Sequence, residues 1–144
     1  MLQEIIIRRL GGDDAATAQD AIRRFKGPSL SLEYLRCLLS NPFNYFVAAY
    51  VDKKVAGFVY AHRLNRLGTA GDHIFIYEIE VAKERQRRGV GRALIERVRQ
   101  IDPKAECFVL TERTNNSAIR FYEATGATVE QEEAVLFVFA PSEK

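Results

Sequence analysis

Residues 74–91 read Ile-Phe-Ile-Tyr-Glu-Ile-Glu-Val-Ala-Lys-Glu-Arg-Gln-Arg-Arg-Gly-Val-Gly. Ile74 to Val81 is apolar nearly throughout except for Glu78 and Glu80, as in a largely buried strand. A charged loop over 82–88 follows. From Gly89 the apolar positions Val90, Leu94, Val98 and Ile101 recur at helical spacing, and Asp102-Pro103 stops the helix. Gln86-Arg87-Arg88-Gly89-Val90-Gly91 thus joins a strand to a helix. Glycine lets backbone come close to a ligand. The helix start adds unpaired N–H groups and the positive end of a dipole. Together these make an anion site, with pyrophosphate a common occupant. Arg85, Arg87, Arg88 and Arg92, beside Lys83, add charge. Two familiar phosphate motifs do not fit, because residue 94 is Leu94 where a Rossmann turn needs glycine, and no Gly-Lys-Ser/Thr follows. The same residues also suit a plain strand-to-helix turn with arginines for solubility.

The elements around this segment follow from periodicity and punctuation. Residues 3–9 predict a strand centred on Ile5 to Ile7. Asp13 and Asp14 can cap a helix whose apolar positions are Ala15, Ala18, Ile22 and Phe25, stopped by Gly27-Pro28. Ser31 can cap a second helix with Leu32, Leu35, Leu38 and Leu39 inward, ended by Asn41-Pro42. Residues 44–51 and 55–62 predict a hairpin across Asp52-Lys53-Lys54, followed by a polar loop over 63–72. Beyond the central helix, Ala105 to Thr111 predicts a strand and Asn116 to Ala124 a helix with Gly126 as its cap. One or two strands ending in Val135 to Phe139 close the chain. Antiparallel hairpins followed by crossover units predict an α/β (α+β) fold: a mixed, mostly antiparallel central sheet flanked by helices on both faces.

The 144 residues suit a single domain, 1–144. Net charge is +2, from 21 basic and 19 acidic residues, too balanced to argue for nucleic acid. No apolar run approaches the ~20 residues of a membrane span. The N-terminus lacks a signal-peptide plan, so a cytoplasmic protein is expected. Cys37 and Cys107 are no disulfide framework and are expected to be buried spectator thiols. With His62 and His73 they match no zinc spacing, so no metal is expected.

Three segments carry a resemblance. Gln86-Arg87-Arg88-Gly89-Val90-Gly91 resembles the acetyl-CoA pyrophosphate motif of the GNAT N-acetyltransferases, Gln/Arg-x-x-Gly-x-Gly/Ala. Phe75 to Val81 resembles that family's fourth strand, and Asn115 to Ala127, with Ala118, Phe121-Tyr122 and Gly126, resembles its late motif. Within the family, Tyr34-Leu35, Leu38-Leu39, Asn44 to Tyr50, Ile76 to Val81 and Arg87 to Gly91 are most similar to the aminoglycoside 3-N-acetyltransferase type I group. Glu78 stands where that group carries Asp, and loop 63–73 departs from it.

The resemblance implies a GNAT-like acyl-CoA N-acyltransferase fold and acetyl transfer from acetyl-CoA to a primary amine of a small cationic molecule such as an aminoglycoside. Attack is direct, in a ternary complex. A protonated amine must lose a proton first, which makes Glu78, or else Glu80, the base. Backbone in the Ile79–Val81 stretch, where the fourth strand of the family bulges and splays, would stabilise the oxyanion and pair with the pantetheine arm. Gln86, Arg87, Arg88, Gly89, Val90, Gly91 and Arg92 would hold the pyrophosphate. Asn115 would contact the cofactor chain or cap its helix. Tyr122 would protonate the leaving thiolate, or sit in the core. Glu33, Asp72, Glu112 and the run Glu130 to Glu133 could line an acidic acceptor pocket. Two alternatives remain: a transferase for peptide or protein amines, and a non-catalytic acyl-CoA- or nucleic-acid-binding module. Glu78, Glu80 and Glu84 flank the basic cluster and disfavour nucleic acid. A homodimer through the C-terminal strand is open to such a fold.

Overall fold

The computed structural model describes residues 4–68 and 71–142. It has two compact units, Met1–Leu110 and Thr111–Lys144. The first unit contains β1 (Ile6–Leu10), α1 (Ala15–Lys26), α2 (Leu32–Ser40), β2 (Asn44–Val51), β3 (Lys54–Leu64), β4 (His73–Val81), α3 (Val90–Ile101) and β5 (Glu106–Val109). The five strands form one sheet in the order β1-β2-β3-β4-β5. The first three pairings are antiparallel and β4–β5 is parallel, since α3 carries the chain across the sheet between those two strands. This is the mixed, mostly antiparallel sheet that the pattern predicts. Residue 3 of the predicted first strand and residues 69–70 of the predicted loop lie outside the described residues.

The hairpin register pairs Val51 with Lys54. Asp52 and Lys53 between them have φ of 52° and 65°, the two left-handed residues of a tight turn that matches strand twist. One face of the sheet buries Leu10, Phe46, Ala48 and Phe58 against Ala15, Ala18 and Ala21 of α1 and Leu35 and Leu39 of α2. The alternate residues Val47, Ala49, Val59 and Ala61 are buried too, together with Val90, Leu94, Ile95 and Val98 of α3, which packs across β2 and β3. Cover on both faces explains why β2 reads as a continuous apolar run. Each fully buried Leu or Val contributes about 1.5–3 kcal/mol.

Helix starts differ in detail from their sequence signals. Ser31 Oγ accepts the Tyr34 N–H at 3.1 Å, a true cap. Asp14 precedes α1, but its carboxylate accepts the Gly11 N–H at 2.8 Å and Arg8 at 2.5 Å. The Gly11 bond, and then Arg8, hold that carboxyl below its usual range. Cys37 is exposed, correcting the expectation of a buried thiol. Its position on α2 faces away from the inward stripe of Leu35 and Leu39. No helix among the described residues is long and apolar enough to cross a membrane.

Gly57 of β3 sits where β4 comes closest. A Cβ there would lie 2.4 Å from the Glu80 carbonyl oxygen, a backbone atom that no rotamer change can move. Gly57→Ala is expected to destabilise the protein by about 2 kcal/mol, read as a lower urea midpoint. An unchanged midpoint would show that β3 and β4 are not packed this closely.

In the second unit, α4 spans Asn116–Ala124. Gly126 follows with φ 102°, and the Ala127 N–H closes onto the Tyr122 carbonyl at 3.0 Å, so glycine ends the helix as predicted. The predicted C-terminal strands are absent: residues 127–142 contain no helix or strand. An apolar run becomes a strand only when its backbone groups find a ladder, and the described part of this unit supplies no second strand to pair with.

Candidate active site

The site begins with a register change in β4. Tyr60 pairs with Glu78 and Ala61 with Ile76, which leaves Tyr77 as an extra residue. This bulge lies two residues earlier than the Ile79–Val81 stretch. A bulge re-aims side chains. Glu78 and Glu80 lie across from Tyr60 and Phe58, and cross-strand partners share a face. Both glutamates therefore point to the α1–α2 side. Ile79 and Val81 pair with Val59 and Gly57 and take the α3 side.

Pairing between β4 and β5 ends at Ile76 with Val109. Residues 77–81 continue beside β3 alone. Backbone groups along a strand alternate in direction, so part of this stretch directs N–H and C=O groups to the edge of β4 away from β3. The Val81 carbonyl accepts the Gln86 side-chain amide at 3.3 Å, which ties the following loop to the strand end.

That loop has the geometry of an anion cradle. Arg87 has φ 64°, unusual for a residue with a Cβ, and Gly89 has φ 89°. Strained backbone of this kind gathers at functional loops, and successive amides in such conformations form a concavity for anions. The first α3 backbone bond runs from Ala93 N–H to the Gly89 carbonyl at 3.0 Å, so the helix amides before it project from the helix end. Arg87 and Arg88 are exposed, while Val90 and Gly91 are buried at the base. Arg92 is exposed on the first turn of α3. Arg85 turns to Asp52 at 3.8 Å, and Arg24 pairs with Glu84. These residues fit a pyrophosphate bound at the start of α3.

On the other side of β4, a cleft of about 320 Å³ opens between the sheet and α1–α2. Phe46, Phe58, Tyr60 and Tyr77 wall it from the sheet, and Tyr34 and Lys26 from the helices. Glu78 is the one carboxylate among its lining residues, and Glu80 does not reach it. Lys26 Nζ lies 2.6 Å from Glu78 Oε2. That hydrogen bond is the main cause that raises the Lys26 pKa, helped by the charges of Glu78 and Glu80. Burial pushes the Tyr60 phenol up. The expected acidic lining is corrected in this unit. Glu33 is exposed on the first turn of α2, outside the cleft. Asp72 is held by Arg63 at 3.0 Å, and that guanidinium also reaches Asp102 at 3.1 Å. Glu112 and Glu130 to Glu133 belong to the second unit and are exposed there.

Asn115 and Tyr122 also belong to the second unit. Asn115 Oδ1 accepts the Ala118 N–H at 3.1 Å, so it caps α4. Tyr122 is half-buried, and burial alone pushes its phenol up. Sequence reading missed Lys26, Tyr60 and Tyr77. Lys26 looks like an ordinary last-turn cation, and only the packing of α1 over β4 brings it to Glu78. Among the described residues no cluster of three or more His, Cys, Asp or Glu is placed to hold a metal ion.

Comparison with known proteins agrees with this architecture. Residues 15–127 match the Acetyltransferase (GNAT) family. No curated protein sequence matches the chain. Among solved structures, the aminoglycoside acetyltransferase meta-AAC0020 from an uncultured soil metagenomic sample, in complex with sisomicin, is similar at TM-score 0.86 and 26% identity, over 96% of this chain and 97% of that one. The aminoglycoside N-acetyltransferase AAC(6')-Iy in complex with CoA has the same fold at TM-score 0.79 and 18% identity, over 97% of each chain. So does AAC(6')-Ih from Acinetobacter baumannii, at TM-score 0.77 and 18% identity, over 96% of this chain and 100% of that one. The family match spans the α1–α2 cleft, the positive-φ loop and α4, and this chain therefore belongs to the acetyltransferase (GNAT) family, as an acetyl-CoA-dependent N-acetyltransferase.

Proposed function

We propose that this chain acetylates a primary amine of a small cationic molecule, with Glu78 as the base. The observation that carries the reading is the course of β4. It leads from Glu78, in an aromatic cleft, along a stretch unpaired with β5, to the loop Gln86–Gly91. Acetyl-CoA supplies the activated acetyl group as a thioester. Gln86, Arg87, Arg88, Gly89, Val90, Gly91 and Arg92 hold its pyrophosphate, and backbone of Ile79 and Val81 lies along the pantetheine arm. An N–H of that stretch stabilises developing oxyanion charge. Glu78 takes the proton of the incoming amine. Lys26 already shows how this carboxylate receives an ammonium, at 2.6 Å. Glu80 faces the same side but lies outside the cleft lining, which favours Glu78 over it. Tyr122 protonates the leaving sulfur, and Asn115 borders the cofactor chain while capping α4.

The sisomicin-bound relative makes aminoglycosides a first acceptor class to assay, and the sequence resemblance favours the 3-amine. Arg85 and Arg24 are each matched by an acid, which suits a small anion better than a nucleic-acid backbone. The test is acetyl-CoA-dependent release of free thiol with a panel of aminoglycosides, polyamines, simple amines and short peptides. Turnover with a small amine supports the reading. Turnover with peptides alone would replace it by the protein-amine alternative.

A further inference from the structure

We infer that Lys26 is a self-modification site: supplied with acetyl-CoA, this chain transfers the acetyl group to its own Lys26 Nζ, which rests on the acetyl-transfer reading of Glu78. Lys26 is the last residue of α1, and its Nζ lies 2.6 Å from Glu78 Oε2. That is hydrogen-bond distance, the place which the reading gives to the nitrogen of an acceptor amine. Both residues belong to the first unit and line the same cleft. Ile79 follows Glu78 directly on β4. Backbone assigned to the pantetheine arm therefore adjoins the residue that holds the Lys26 nitrogen. An acceptor tethered beside the base needs no encounter, which raises its effective concentration above that of a free amine. Stability does not account for the pair. Its side chains are 44% and 28% exposed, and so open an ion pair adds little.

A lysine ammonium cannot attack until it loses a proton. The hydrogen bond to Glu78 raises the Lys26 pKa, so acetylation without the base is slower here than at a lysine that lacks a carboxylate partner. With acetyl-CoA in place, Glu78 takes one proton from the ammonium and the freed nitrogen attacks the acetyl carbon. The amide C–N bond forms and the thioester C–S bond breaks. The nitrogen gives up its second proton. Coenzyme A departs as a thiol with one of the two protons, and the other passes from Glu78 to water. The product amide carries no charge, so the ion pair with Glu78 ends with the reaction, which stops at one acetyl group per chain.

The experiment incubates the purified chain with acetyl-CoA and no added amine, and follows acetylation of each lysine by peptide mass spectrometry. Lys53, exposed in the β2–β3 turn, is the internal reference for uncatalysed acetylation. Lys26 should be modified about 100-fold faster than Lys53, at a first-order rate independent of protein concentration. In Glu78→Gln, checked by calorimetry to bind acetyl-CoA still, the Lys26 rate should fall about 100-fold while the Lys53 rate holds. Lys26→Arg should gain no acetyl group at residue 26. Modification of Lys26 no faster than Lys53, an undiminished rate in Glu78→Gln, or a rate that rises with protein concentration would overturn the inference. If small amines are turned over while Lys26 stays unmodified, the inference fails and the acetyl-transfer reading stands. If acetyl-CoA does not bind, or binds and neither an added amine nor Lys26 is acetylated, both fail.

Discussion

Glu78→Gln is expected to lower kcat/KM by about 10²–10⁴-fold at neutral pH, with acetyl-CoA affinity little changed. The size follows from the acceptor. A primary amine with a pKa of ~10.4 is deprotonated in only about one molecule in 2,500 at pH 7, so the proton must be removed within the complex. Glu78 sits in the cleft with Oε2 at hydrogen-bond distance from an ammonium. Glutamine keeps the shape and loses the basicity. The variant should recover with pH, about tenfold per unit, as solvent takes over deprotonation of the amine. Glu80→Gln, outside the cleft lining, should cost far less. A larger loss in Glu80→Gln than in Glu78→Gln would exchange the roles of the two residues.

Tyr122→Phe is expected to lower kcat about 100-fold and to leave KM for the amine nearly unchanged. The loss is smaller than for the base because a thiol of pKa ~8.5 is already a fair leaving group. Burial raises the Tyr122 phenol above its ordinary value, so it remains protonated, and able to donate, throughout the neutral range. The parent enzyme should therefore lose kcat only at pH above the usual tyrosine range, and that limb should vanish in Tyr122→Phe. Wild-type kcat in the phenylalanine variant would reduce Tyr122 to a packing residue of α4.

The readable parts of this fold are those whose signal is local. Asn116–Ala124 begins at an asparagine cap and ends at a positive-φ glycine, and its bounds match the periodicity. α3 is fixed by Val90, Leu94 and Val98 on one stripe, all buried. β2 and β3 are apolar runs around a turn that tolerates two left-handed residues. What could not be read depends on partners distant in sequence. The bulge at Tyr77 exists because Tyr60 and Ala61 pair with residues two apart, and no local pattern encodes that. Lys26 carries nothing in its neighbourhood that points to Glu78. The run Val135 to Phe139 has strand composition yet no strand, because composition supplies the side chains of a strand and not its ladder. The segment Gln86–Gly91 was legible as the join between a strand and a helix, whereas the left-handed Arg87 within it was not.

The central assignment is the cofactor cradle at the start of α3, and calorimetric titration of acetyl-CoA tests it most directly. The protein should bind one equivalent, and Gly89→Ala should bind about tenfold more weakly, because a Cβ at φ 89° costs about 1–2 kcal/mol in the left-handed region. Absence of binding heat with the unaltered protein, or undiminished affinity in Gly89→Ala, would remove the loop Gln86–Gly91 from the site.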